Sequence, residues 1–223
     1  MKKKLINWLC LSGVAGLIFY ILHAVVGAMY YPGYDRMSQA MSDLTALSAP
    51  SFMVANGLAS VYGLFSVLSS TLVCIVIQGK GNKVLRLGVY IFAAMNWVSG
   101  IGFALFPLSD SGFAGEFQDA MHLVTVFLVV GLSIISLILI IVGCLKKNYS
   151  KPLAIVATVV LVCMFIGGVG VNVVPLEYFG LMERFSLYGA VIFNAILGLY
   201  GFAFFDRVEA RRIQKNNRNG IPI

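Results

Sequence analysis

The sequence predicts an all-α, polytopic membrane protein: a bundle of six transmembrane helices with a short amphipathic helix in its first outer loop. Three observations carry this. The 223 residues are 60% hydrophobic and only 11% charged, whereas a soluble domain runs about 45–50% apolar and about 25% charged. Six continuous apolar stretches are each long enough to cross a hydrocarbon core of about 30 Å, which takes roughly 20 helical residues. Basic and acidic residues alternate between successive loops in the manner of membrane topology. A soluble enzyme, a disordered tail and a nucleic-acid module are excluded by the first observation alone.

The spans run from about Leu5 to Met29, Phe52 to Ile77, Leu87 to Phe106, Ala120 to Leu145, Pro152 to Val174 and Phe185 to Phe205. Barrel strands would be about ten residues long and would alternate, so helices are preferred. The first span follows Lys2, Lys3 and Lys4 and could be mistaken for a signal peptide. Its apolar run exceeds the usual 7–15-residue h-region, so it is read as a retained helix. The connecting loops leave no room for a separate soluble domain. Residues 1–223 form a single membrane domain, and 206–223 form a basic tail.

Charge sets the orientation. Lys2–Lys4, then Lys80, Lys83 and Arg86, then Lys146, Lys147 and Lys151, then Arg207, Arg211, Arg212, Lys215 and Arg218 all fall on one side. Only Arg36 and Arg184 fall on the other. The positive-inside rule places both termini in the cytoplasm of a cell-membrane protein. The net charge of +7 is then an orientation signal that also suits anionic lipid heads, and no nucleic acid is implied. The four cysteines show no CxxC pair and no metal-ligand spacing. Cys10, Cys74 and Cys144 lie near inner helix ends and Cys163 lies mid-span, away from the oxidising side.

The polar residues that remain gather at the outer end. In the first loop Pro32 and Gly33 mark a turn, and Asp35 can cap a helix on which Met37, Met41 and Leu44 share a face. Ser38, Ser42 and Asp43 lie on the same segment. The third loop carries Asp110, and Asp119 opens the fourth span with His122 one turn on. His23 lies in the outer third of the first span, and Arg184 precedes the sixth. Ionisable groups at membrane depth usually face the protein interior or a wet cavity. These nine residues (His23, Asp35, Ser38, Ser42, Asp43, Asp110, Asp119, His122 and Arg184) are the candidate ligand-binding cluster.

Three readings compete. Arg36 and Arg184 neutralise carboxylates and the cluster locks the loops together. Alternatively the cluster lines an outward cavity for a lipid head group or small polar ligand. Or it is catalytic: His23 and His122 with Asp119 or Asp43 form a weak metal set, or Ser42 is a nucleophile with His122 as base and Asp119 as its orienter. The chain has no HExxH, G-x-S-x-G or Walker motif, so no catalytic residue is assigned, no cofactor is expected, and the reading leans away from an enzyme. Asn96, Asn172 and Asn194, with Ser69, Ser70, Ser99, Ser133 and Ser136, are read as interhelical hydrogen-bonding groups, and the glycine clusters as close-packing points. Membrane lipids are the expected partners, with a homo-oligomer left open.

Tyr31-Pro32-Gly33-Tyr34-Asp35, Ser38-Gln39 and Ser42-Asp43-Leu44, with Phe106-Pro107, Asp110, Asp119 and His122, resemble the bacterial and archaeal family known as domain of unknown function 998. The likeness spans most of the chain. The departure is Asp43, where glutamate is the more usual acid in that pattern. The resemblance implies a six-helix integral membrane protein and no established reaction.

Overall fold

The computed structural model describes residues 3–112 and 114–218. Lys2 of the amino-terminal basic cluster and 219–223 of the tail lie outside the described residues. Among these residues every regular element is helical. The first span is α1 (Leu5–Leu9) and α2 (Ser12–Met29). Then follow α3 (Phe52–Val76), α4 (Lys83–Leu105), α5 (Phe117–Leu145), α6 (Lys151–Val173) and α7 (Phe179–Leu199). A π-helical turn, Tyr200–Phe204, joins α7 to α8 (Phe205–Arg218). Six of the resulting helices are long and apolar enough to cross a membrane, so the chain is a multi-pass membrane protein. Boundaries agree with the sequence to a few residues, except that the sixth span starts earlier and runs on through the π turn.

Neighbours in sequence are neighbours in space, as short connections dictate. α2 packs on α3, α3 on α4, and so on to α7, which returns to both α2 and α3. Helices α3 to α7 thus close a ring, with α2 seated over the α3–α7 seam. Phe92, Phe193, Leu137, Val160, Met164 and Leu197 fill its centre. Water does not drive apolar helices together inside lipid, so close packing and interhelical hydrogen bonds must do so. The α4–α5 contact shows how: Ser136 Oγ donates to the Gly88 carbonyl at 2.9 Å, and Asn82 Nδ2 to that of Gly143 at 2.6 Å. Ser69 Oγ likewise reaches the Cys10 carbonyl at 2.9 Å. Asn96 and Asn172 differ from the interhelical expectation. Each donates to its own helix four residues back, to Phe92 and Gly168. Asn194 is buried with neither amide atom partnered among the described residues.

The two ends of the bundle are unlike. The basic end holds the two ion pairs found among the described residues, Lys80 to Asp206 at 2.7 Å and Lys3 to Asp206 at 3.9 Å. A π turn displaces carbonyls from the regular helical ladder, and here the amino-terminal segment meets them. Asn7 Nδ2 donates to Gly201 O at 2.9 Å, and Lys3 Nζ donates to Phe202 O. Asn7 is buried, so Asn7→Leu leaves the Gly201 carbonyl without that donor. The expected penalty is about 1–3 kcal/mol, read as a lower melting temperature of the purified protein. Asn7→Gln, which keeps an amide, should lose less.

Candidate functional site

At the other, acidic end, the first and third connections form one cap. Leu47 N donates to Leu108 O at 2.9 Å and Ser48 N to Ser109 O at 3.3 Å. Asp110 is tied to the Ser48 hydroxyl and accepts from Ser111 N at 2.7 Å. These bonds hold the Asp110 carboxyl below the usual carboxylate range, the Ser48 hydroxyl contributing most. The first connection contains a single 3-10 turn, Ser42–Thr45, shorter than the amphipathic helix that its periodicity predicts. Backbone donors are drawn off to carboxylates before a second helical turn can form. Of the predicted face, Met41 and Leu44 are buried against Tyr20, Ala24 and Ala55, while Met37 stays exposed.

The carboxylates act as acceptors for backbone N–H groups. Asp43 is buried and accepts from Ala40 N and Gly112 N, both at 3.1 Å, which ties the first connection to the third. Asp119 is fully buried and accepts from Ser109 N at 2.8 Å, from the Ser109 hydroxyl at 2.9 Å and from Ala114 N at 3.0 Å. Asp35 is exposed and organises its own turn, accepting from Met37 N at 2.9 Å and Ser38 Oγ at 2.7 Å. The Ser38 hydroxyl, then the Met37 amide, lower the Asp35 carboxyl below its ordinary value.

Arg184 does not neutralise these acids. Its guanidinium donates to Gln39 O at 3.0 Å, Gly180 O at 2.6 Å and the Tyr34 hydroxyl at 2.6 Å. Tyr34 in turn donates to Ala40 O at 2.6 Å. Burial pushes the Tyr34 phenol up to about 12, against the opposing pull of the guanidinium. Among the described residues no ion pair forms at this end; both belong to the basic end. The expected pairing of Arg184 with carboxylates is therefore replaced by bonds to two backbone carbonyls and the Tyr34 hydroxyl, and Arg36 forms no ion pair among the described residues. The physical reason is proximity. The folded-back loop presents its carbonyls to the guanidinium and its amides to the acids.

The histidines stand on different elements. His23 Nδ1 lies 3.0 Å from Ala55 O, and His122 Nδ1 lies 2.8 Å from Phe106 O. A carbonyl only accepts, so in each ring Nδ1 carries the proton. Asp119 is thus not the orienter of His122, and the Ser42–His122–Asp119 relay is not assembled. Among the described residues no three His, Cys, Asp or Glu side chains gather to hold a metal.

The candidate cluster therefore resolves into parts. Asp43 and Asp110 join the first and third connections, Asp119 ties the third connection to the start of α5, Asp35 and Ser38 make a local turn, and Arg184 clamps the first connection to α7. His23 and His122 brace α2 on α3 and α5 on α4. Missing from the sequence set is Glu183. The sequence places it in the fifth loop; the structure places it one turn into α7, half-buried, accepting Met41 N at 2.7 Å. The signal was present: Glu183-Arg184 sits between Leu181-Met182 and Phe185, an ionisable pair in apolar surroundings. Gly180 was missed too. Leu181 N donates to Met37 O at 3.0 Å, and a Cβ on Gly180 would strike Gln39 O and come within 2.9 Å of Arg36 O.

Fold and cap together define a six-helix multi-pass membrane protein with most of its carboxylates and both histidines at one end. The chain belongs to the family described as protein of unknown function (DUF998), which matches residues 14–200. No curated protein and no solved structure matches it.

Proposed function

We propose that this is a non-enzymatic protein of the cell membrane, with both termini cytoplasmic, whose outward acidic end binds a lipid head group or a small polar ligand. The carrying observation is Glu183. Its half-buried carboxyl accepts from Met41 N of the first connection, and that single backbone N–H is its hydrogen-bond donor among the described residues. Asp43 and Asp119, by contrast, each take at least two backbone amides. An ionisable carboxyl one turn into a membrane-spanning helix with a single hydrogen-bond donor is characteristic of a site rather than a brace. The orientation follows from the distribution of lysine and arginine.

A second reading, that the chain is a passive structural or assembly protein, is favoured by the completeness with which Asp43, Asp119 and Arg184 are bonded within the cap. Native mass spectrometry of the purified full chain separates the two. The proposal expects a retained lipid or small molecule that is lost in Glu183→Gln while the melting temperature changes little. A bare wild-type protein, or an adduct indifferent to Glu183→Gln, favours the passive reading.

A further inference from the structure

Two buried polar side chains in the middle of the bundle forgo the partner nearest to them. Elsewhere in this chain, amides and hydroxyls within the spans donate to the carbonyl four residues back. Asn96 does so to Phe92 O and Asn172 to Gly168 O, both at 2.9 Å. Ser70, Thr125 and Ser133 do so to Ser66 O, Met121 O and Val129 O at 2.8, 3.0 and 2.7 Å. Asn194 of α7 and Ser66 of α3 do not. Asn194 is 2% exposed, and neither Nδ2 nor Oδ1 has a partner among the described residues. Ser66 is 3% exposed with its Oγ likewise unpartnered. The Tyr62 hydroxyl approaches Ser66 without meeting its Oγ at the distance and angle of a hydrogen bond.

Helix register sets the two side by side. α3 and α7 both run from the acidic end to the basic end, and they touch in step. A Cβ on Gly201 would lie 3.0 Å from Val73 Cγ2, and one on Gly198 would lie 2.9 Å from Ser69 Oγ. One turn nearer the acidic end, three residues back on α3 and four back on α7, the next pair on these faces is Ser66 and Asn194. α2 closes the third side with glycines. A Cβ on Gly13 would lie 2.6 Å from Ser69 Oγ and 3.0 Å from Asn194 O, and one on Gly16 would lie 3.3 Å from Ser66 Oγ. At this level α2 therefore brings backbone, and no side chain, to the pair. Ser69 is already committed to the Cys10 carbonyl. Asn194 stands more than two turns from either end of the Phe179–Phe204 run, where bulk water does not satisfy polar groups.

We propose that Asn194 and Ser66 hold a buried water molecule at the junction of α2, α3 and α7. The amide selects this occupant. Nδ2 only donates and Oδ1 only accepts, so the occupant must both accept and donate. A cation would face the Nδ2 hydrogens and an anion would face Oδ1. None of Gly13, Gly16, Ser66, Ser69 and Asn194 carries a charge to neutralise either, and an unpaired charge at this depth is costly. The close glycine contacts of α2 favour a small molecule. Water between Nδ2, Oδ1 and Ser66 Oγ has about three polar partners, the usual number for a buried water. It would link α7 to α3 where no direct side-chain bond does. The site shares no residue with the acidic end and stands or falls separately from it.

The first test is a structure of the full chain in nanodiscs at a resolution that shows ordered water. Density is expected within about 2.7–3.2 Å of both the Asn194 amide and Ser66 Oγ. No density there, whether the amide stays or turns onto the Ala190 carbonyl, overturns the proposal. A double-mutant cycle supplies a second readout. Asn194→Leu and Ser66→Ala should each lower the melting temperature by roughly 2 °C or more, and the double variant should fall no further than the worse of the two, because each removes the same bridge. A rise in Asn194→Leu would mean that the amide had no partner to lose, and additive falls would mean that the two groups share none; either result overturns the bridge. Exchanging sodium for choline in the buffer should leave the wild-type melting temperature unchanged. A fall would assign the site to a sodium ion and overturn the choice of water.

Discussion

Gly143→Ala should be among the most damaging single changes in this protein. A Cβ there would lie 2.5 Å from Leu85 N and 2.6 Å from Leu85 Cα. Both are backbone atoms, so no side-chain rotation relieves the overlap. The opposite glycine is as tightly held, since a Cβ on Gly88 would come 2.9 Å from Ile140 N. The helices would have to separate, and separation breaks the Asn82–Gly143 and Ser136–Gly88 hydrogen bonds that cross the same contact. Overpacking of this kind costs about 1–3 kcal/mol or more. That corresponds to a fall of roughly 2–12 °C in melting temperature for a chain of this size. Gly131→Ala is the matched control on the same helix, because nothing lies within 4 Å of its Cβ position. A melting temperature for Gly143→Ala equal to that of Gly131→Ala would show that α4 and α5 do not pack this closely.

Gly180→Ala should lift the cap while leaving the helices in place. Its Cβ would strike the Gln39 carbonyl and approach the Arg36 carbonyl at 2.9 Å. The first connection would have to retreat from α7, and with it would go three attachments: Leu181 N to Met37 O, Arg184 to Gln39 O, and Met41 N to Glu183. The damage should be local. Amide exchange at Ala40 and Met41 should rise roughly tenfold or more, as expected for local opening of a capping segment. Exchange in α4 and α5 should be unaltered. Gly57→Ala, with open space at its Cβ, is the control. Unchanged protection at Met41 would mean that the loop is not seated on Gly180. Any ligand that depends on Glu183 should also bind more weakly in Gly180→Ala, because the loop that covers this carboxyl would be displaced.

How much of this was legible beforehand differs between the spans and the cap. The spans follow from composition: a run such as Leu123 to Leu145 is apolar on every face, and such a run is at rest only in hydrocarbon. The gathering of Asp43, Asp110, Asp119 and both histidines at one end was also legible, because loops and helix ends have known depth once the spans are placed. What each side chain does there was not. Arg184 was expected to neutralise acids and instead clamps Gln39, Gly180 and Tyr34. Asp119 and His122, a turn apart on one helix, do not bond to each other: Asp119 takes Ser109 and Ala114 of the third connection, and His122 takes the Phe106 carbonyl at the end of α4. Glu183 was counted as loop because its charge masked the helix that begins at Phe179. The periodicity of Met37, Met41 and Leu44 suggested a longer helix than the 3-10 turn that forms. Periodicity cannot register that Asp43 and Glu183 claim the amides a helix would need.

The amino-acid sequence by itself determined that this chain is a six-helix membrane protein, which end is basic and which acidic, and which residues carry polarity into the bilayer. These are sums over long segments: transfer free energy for the spans and net charge for the loops, to which every residue contributes wherever its neighbours lie. The tertiary structure alone decided which backbone atoms meet which carboxylates, and that Gly180 and Gly143 are points of backbone contact. Those depend on pairs of residues brought together from far along the chain, at separations where a few tenths of an ångström decide between a hydrogen bond and a clash.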